Sequence, residues 1–312
     1  MSAGAETSRS LGRALSTAEA MELPRMQVGY PPQHLVLTLF ADYSLERPVP
    51  SAALVSMLAD FDVSTAGARA AITRLARRGL LVTSRRGRNT AYAITERCAA
   101  LTGDARYLTY AYTGAIELWD HRWTVVAYSV SEEQRAQRAV LRTRLRWLGF
   151  APLQDGLWVS PHRPSAALRE VLTEVAPAQC TVFSADLLEQ MSTQGPMDAW
   201  DLSATRAAFD DFLAEFTPVA DRFERGALGD VESLVRRTQV IYRWFNLANE
   251  HADLPATLLP DGWPGRPSRR LFLLLADGLA EPAARRIVDH LDRHGTVADG
   301  AVRALTAAEI LA

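Results

Sequence analysis

Between Ser64 and Thr95 the chain reads STAGARAAITRLARRGLLVTSRRGRNTAYAIT, and midway the spacing of its apolar residues changes from a helical to an alternating period. Ala68, Ala71, Ile72 and Leu75 fall on one side of a helix at 100° per residue. After Gly79, LLVTS and TAYAIT alternate as strands do, joined by RRGRN with Gly87 at the turn. Two helical patterns precede this stretch: PPQHLVLTLFADYSL, with Pro ahead of Leu35, Leu39 and Phe40, and PSAALVSMLADFD, with Leu54, Met57 and Leu58 on one face. Three helices and a hairpin predict a winged helix-turn-helix module over residues 30–97.

The same stretch holds seven arginines and no acidic residue, although 34 basic and 36 acidic side chains leave the whole chain at a net charge of −2. Polyanion binding, if present, is therefore local. Every basic side chain is Arg and none is Lys, which together with abundant Ala points to a GC-rich bacterial genome; only the placement of Arg carries information. Opposite its apolar side the third helix presents Ala66, Arg69, Ala70, Thr73, Arg74 and Arg77, small residues that let a helix sit deep in a groove while long cations reach outward. The major groove of duplex DNA admits one helix and offers acceptors that Arg engages bidentately.

The expected DNA contacts are Ser64 (also the helix cap), Thr65, Arg69, Ala70, Thr73, Arg74, Arg77 and Arg78 on the helix, and Arg85, Arg86, Arg88 and Asn89 at the hairpin. Arg69, Thr73 and Arg74 are assigned to bases, Arg77 and Arg78 to phosphate, and the hairpin residues to the adjacent backbone or minor groove. A solvated amphipathic helix is the competing reading, but such a face carries both signs, and no acid appears here before Glu96. A second basic helix, EEQRAQRAVLRTRLRWLGF, has acids at its start and Arg toward its end, as the helix dipole favours. It reads as the exposed face of a central domain.

Residues 98–118 read as a linker helix. WDHRWTVVAYSV then opens a β-α-β-β-α-β series over residues 119–192, the ferredoxin-like order, and residues 193–312 are mainly helical. The fold class expected is α+β and multidomain. Residues 1–29 read as a disordered tail, with Met21 or Met26 an alternative start. The sequence has no apolar run long enough to span a membrane, no secretory core and only two cysteines, far apart, which fits a reducing cytoplasm.

ARAAITRLARRGLL with its basic hairpin, LRTRLRWLGFAPLQDGLWVSP and LPATLLPDGWPG, in that order, resemble the PaaX family of bacterial transcriptional regulators, named for the repressor of phenylacetate catabolism. The resemblance spans about Tyr30 to Gly265. It implies a homodimeric repressor of a catabolic operon, bound to double-stranded operator DNA and released by a small-molecule effector, an aryl- or acyl-CoA thioester. The central domain also looks like the ferredoxin-like fold of small CRISPR-adaptation nucleases, which makes metal-dependent nuclease activity the alternative. Those proteins carry an Asp near the end of the first strand; here the run is Tyr128, Ser129, Val130, so the oxygen ligand is missing. A structural, dimer-forming domain is expected instead.

Tyr242, Trp244, His251 and Trp263 are candidate effector contacts in the C-terminal region, His251 lying near Asp253. A helix end before Pro255 is the favoured reading of His251, and packing the favoured reading of Trp263. His290 and His294, four apart with Asp289 and Asp292 nearby, have chelating spacing but no third ligand and solvated surroundings, so no metal is assigned. Without a phosphate-binding glycine loop, nucleophile elbow or paired Cys motif, the chain reads as a binding protein with no catalytic residue and no cofactor.

Overall fold

The structure is a computed structural model that describes residues 31–43, 45, 47–86, 89–115, 119–130, 135–175, 179–189, 195–295 and 302–312. The expected tail, the turn residues Gly87 and Arg88, and the acidic start of the second basic helix, Glu132 and Glu133, lie outside the described residues, as does the Arg86 side chain. The chain divides into two compact units. Among the described residues one holds Tyr112–Asp211 and Asn246–Ser268, the other residues 31–111 together with Phe212–Phe245 and Arg269–Ala312.

The second of these contains α1 (Pro32–Asp42), β1 (Val49–Pro50), α2 (Ser51–Ala59), α3 (Thr65–Arg77), β2 (Leu81–Arg86), β3 (Asn89–Ile94) and α4 (Glu96–Ala111). Proline starts α1, where the missing N–H costs nothing. Ser64 caps α3: its Oγ accepts a hydrogen bond from the Gly67 N–H at 3.1 Å. The same helix ends in a Schellman turn. Gly79 adopts φ +68°, Gly79 N–H bonds to Ala76 O at 3.1 Å and Leu80 N–H to Leu75 O at 3.0 Å. The chain then enters β2, which pairs antiparallel with β3 from Leu81↔Ile94 to Arg86↔Asn89. Thr95 closes the assembly, its hydroxyl donating to Gly79 O at 3.1 Å while accepting the Cys98 N–H that opens α4 at 3.2 Å. A third strand, β1, which sequence periodicity does not reveal, pairs Val49 with Tyr92 and gives the sheet order β1-β3-β2.

The apolar faces expected for the first three helices are buried: Leu35, Leu39 and Phe40; Leu54, Met57 and Leu58; Ala68, Ala71, Ile72 and Leu75. Each fully buried aliphatic side chain contributes roughly 1.5–3 kcal/mol. The same core takes in Ala283, Ile287 and Leu291 of α10 (Ala280–Arg293).

The other unit contains β4 (Arg122–Ser129), α5 (Arg135–Trp147), β5 (Ala151–Gln154), β6 (Leu157–Ser160), α6 (Ala166–Val175) and β7 (Gln179–Asp186). The sheet order is β5-β6-β4-β7 with antiparallel neighbours throughout, which is the ferredoxin-like arrangement. Val126 and Trp158 pack against Leu141, Leu145, Leu168 and Val175. Of the arginines in α5, expected on an exposed face, Arg142 and Arg146 are exposed, whereas Arg144 is buried and paired with Glu174. β7 lies at the sheet edge and is exposed along most of its length, including Val182 and Phe183.

Four further α-helices are α7 (Leu202–Glu224), α8 (Asp230–Glu250), α9 (Gly265–Gly278) and α11 (Ala307–Leu311), with short 3-10 turns at Pro196–Ala199 and Ala256–Leu258. Gly265 and Gly114 face each other so closely that a Cβ on Gly265 would run into the Gly114 carbonyl oxygen. No helix among the described residues is long and apolar enough to cross a membrane.

Candidate nucleic-acid interface

The burial of Ala68, Ala71, Ile72 and Leu75 turns the opposite side of α3 outward. Ser64, Thr65, Ala66, Arg69, Thr73, Arg74, Arg77 and Arg78 are exposed and Ala70 is half-buried. The Thr73 hydroxyl donates to Arg69 O at 2.8 Å, so this side chain presents its methyl group and oxygen lone pairs rather than its proton. On the hairpin Arg85 and Asn89 are exposed. The strand register places Arg85 opposite Thr90 and Arg86 opposite Asn89, at the end of the ribbon farthest from Gly79.

An open groove of about 1250 Å³ runs between α3 and the hairpin. Arg69 and Thr73 border it from the helix, Ser84, Arg85, Asn89 and Thr90 from the strands. Arg74 and Arg77 do not border it, so the exposed cations of α3 serve two surfaces, the groove and the outer helix face. Sequence reading missed Arg47 and Ser51, which bring the start of α2 to the same groove, as well as His294. Nothing in their local sequence marks them; they meet α3 only through the fold. Among the described residues no carboxylate lines the groove. Its chemistry is that of a cationic, hydrogen-bonding groove.

The remaining candidates stand elsewhere. Trp244 is buried, stacks on Phe272 with ring centroids 5.0 Å apart, and donates its indole N–H to Thr109 O at 3.1 Å. Tyr242 meets the His34 ring edge-on at 4.9 Å and borders a cavity of about 70 Å³ with Asp42, Arg106 and Phe245. Burial lowers the His34 imidazole to about 4 and raises the Asp42 carboxyl, the latter against the pull of Arg237 and Arg106. Among the described residues Asp42 Oδ2 and Arg106 Nε have no hydrogen-bond partner.

Tyr242 and Trp244 belong to one compact unit, His251 and Trp263 to the other. His251 follows directly on α8, and its Nδ1 lies 3.0 Å from Thr205 Oγ1; Asp253 accepts from the Thr113 N–H at 2.8 Å and hydroxyl at 2.6 Å. Trp263 packs, as expected: its indole N–H reaches Gly114 O at 3.1 Å and the Arg206 guanidinium lies over its ring at 5.4 Å.

His290 departs from the solvated setting expected of it. It is buried at 1% exposure, its Nδ1 2.7 Å from Ser56 Oγ and its Nε2 2.7 Å from Asp60 Oδ2, because α10 turns that face into the core. Among the described residues no group of three or more His, Cys, Asp or Glu is placed to hold a metal ion. At the end of β4, where the nuclease alternative needs a carboxylate, stands the exposed Ser129, paired with Gln179.

The chain is similar to known proteins along most of its length. Residues 32–98 match the family described as PaaX-like protein, residues 117–196 the PaaX protein central Cas2-like domain, and residues 200–289 the PaaX-like protein C-terminal domain. The transcriptional repressor PaaX of Escherichia coli (strain K12) is 26% identical over 228 residues, covering 70% of each chain. Among solved structures, the uncharacterized protein Rv0674 from Mycobacterium tuberculosis superposes with a TM-score of 0.55 at 24% identity, over 83% of this chain and 98% of that one. With three consecutive segments that match in order across the basic helix, the ferredoxin-like sheet and the C-terminal helices, the chain belongs to the PaaX family.

Proposed function

We propose that this protein is a cytoplasmic, dimeric, ligand-responsive transcriptional repressor that reads operator DNA with a winged helix-turn-helix made of α1–α3 and the β2–β3 hairpin. The observation that carries the proposal is the acid-free face of α3. Arg69, Arg74 and Arg77 stand exposed, interleaved with the small Ala66 and Ala70, beside a groove that no described carboxylate lines. That E. coli PaaX is a transcriptional repressor supports the same reading. Arg69, Thr73 and Arg74 take base edges in the major groove. Ser64, Thr65, Arg77 and Arg78 meet the flanking phosphates, and the hairpin, with Arg85, Arg86, Arg88 and Asn89, follows the neighbouring backbone or minor groove.

In this reading residues 30–97 form the DNA-reading part, 98–118 a connecting helix, and 119–192 the dimer-forming part, where the apolar side chains of exposed edge strand β7 suit a second copy. A dimer places two copies of α3 about 34 Å apart, so the operator is partly palindromic. Residues 193–312 are assigned to the effector and to dimerisation. Of the four candidate effector contacts, Tyr242 borders a cavity; its volume of about 70 Å³ takes the end of an acyl or aryl group rather than a whole CoA thioester. Release follows only if the effector prefers the dimer geometry that cannot bind DNA. Nothing favours the nuclease reading, since Ser129 stands where its carboxylate is needed.

The test is a pair of substitutions. Arg74→Ala is expected to lower the preference for operator over random duplex by about 1–3 kcal/mol. Arg85→Ala is expected to weaken both alike and to flatten the dependence of affinity on salt. If both variants bind operator as the unaltered protein does, this docking is wrong.

A further inference from the structure

The groove beside α3 has a wall that comes from the far end of the chain. α10 is locked to α2 by a buried polar cluster. Arg286 Nε and Nη2 each reach Asp60 at 2.8 Å, and His290 bridges Asp60 and Ser56 at 2.7 Å on either side. Four residues on, the helix stops at His294, which caps it through an N–H bond to Leu291 O at 3.1 Å and is itself exposed. His294 and Gly295 border the same groove as Arg47, Arg69 and Arg85. Three guanidinium groups and an imidazole thus border one groove that, among the described residues, no carboxylate lines, and the imidazole is held there by a helix anchored to the core. A helix C-terminus carries partial negative charge, so placing one beside a polyanion is unfavourable unless a donor covers it. His294 supplies an N–H in either charge state.

We propose that the end of α10 is a DNA-contacting element in its own right, in which His294 donates a hydrogen bond to a backbone phosphate of the strand that passes between the start of α2 and the hairpin. The residue lies beyond the segments matched by the family, which end at residue 289. The inference rests on the DNA-binding reading above. It adds a contact that ties the C-terminal region to the DNA directly, so that any displacement of α10 changes affinity without moving α3.

The experiment measures binding of the full chain to its best genomic fragment and to a random duplex of equal length, at several salt concentrations. The variants are His294→Ala, His294→Gln, His294→Arg and Arg69→Ala. His294→Ala is expected to weaken both duplexes alike, by about three- to ten-fold, at unchanged thermal stability, and His294→Gln to recover part of the loss because it keeps a donor. His294→Arg is expected to bind more tightly and to steepen the slope of log K against log salt by about 0.9, the signature of one added phosphate contact. Unchanged affinity and slope in both the Ala and Arg variants overturn the proposal, as does a loss confined to the genomic fragment, which indicates a base contact. If Arg69→Ala also binds normally, the DNA-binding reading itself has failed; if it weakens binding while the His294 variants do not, only the contribution of α10 falls.

Discussion

Removing the Arg286 side chain isolates the energy that holds α10 on α2. Arg286 occupies both oxygens of Asp60 at 2.8 Å, at 13% and 10% side-chain exposure respectively, and also reaches Asp289. Burial pushes the Asp60 carboxyl up, but the hydrogen bonds from Arg286 and then His290 outweigh it and hold the group at about 2. Holding the carboxyl at about 2 corresponds to about 2.5 kcal/mol, shared between Arg286, whose hydrogen bond is the largest single lowering cause, and His290. Breaking a fully buried pair costs about 3–5 kcal/mol, but His290 stays to accompany the carboxylate. Arg286→Ala should therefore destabilise the protein by about 1–2 kcal/mol at pH 6, read as a fall in the urea midpoint at unchanged m value.

The deficit should also depend on pH. A carboxyl with a lowered folded pKa contributes its stability above the unfolded value near 4 and loses it as pH falls toward about 2. The advantage of the unaltered protein over the variant should accordingly shrink to about half by pH 3. A deficit below about 0.5 kcal/mol, or one equal at pH 6 and pH 3, would refute the reasoning.

Two other outcomes follow from the packing. His34 is held neutral by burial, with its imidazole at about 4, so the unfolded chain takes up a proton that the folded one refuses between its ordinary value of 6.5 and 4. Stability should be complete above pH 6.5 and fall by up to about 3 kcal/mol toward pH 4, and His34→Gln should remove that slope from a pH series of urea titrations. Gly265→Ala sets a Cβ against the Gly114 carbonyl oxygen, and backbone on backbone has no flexible end to yield. A loss of about 3 kcal/mol is expected in the same assay, with Gly278→Ala milder because its neighbour is the Phe223 ring, a side chain that can shift.

What could be read in the sequence was what has a period. The buried side of α3 follows from Ala68, Ala71, Ile72 and Leu75 at helical spacing, and the hairpin from the switch to alternation after Gly79. The order of strands and helices between Arg122 and Asp186 was legible for the same reason. β1 was not, because Val49–Pro50 is two residues long and has no period to show. Nor was Arg144 distinguishable from the exposed arginines of its helix, since the partner that permits its burial, Glu174, comes from another helix 30 residues on. His290 shows the limit most plainly. Its neighbours in sequence, Asp289 and Asp292, suggest solvent, and the groups that satisfy it lie more than 200 residues away on α2. The groove has the same character: its α3 and hairpin sides were readable, but Arg47 and His294 reach it only through tertiary packing.

The central claim is that the arginine face of α3 has duplex DNA as its counter-charge. The most direct measurement is selection of genomic fragments by the full-length protein at physiological ionic strength, run beside Arg69→Ala/Arg74→Ala. The expected result is enrichment of a partly palindromic site by the unaltered protein and loss of that enrichment in the double variant. Equal enrichment by both proteins, or no enriched site at all, would contradict it.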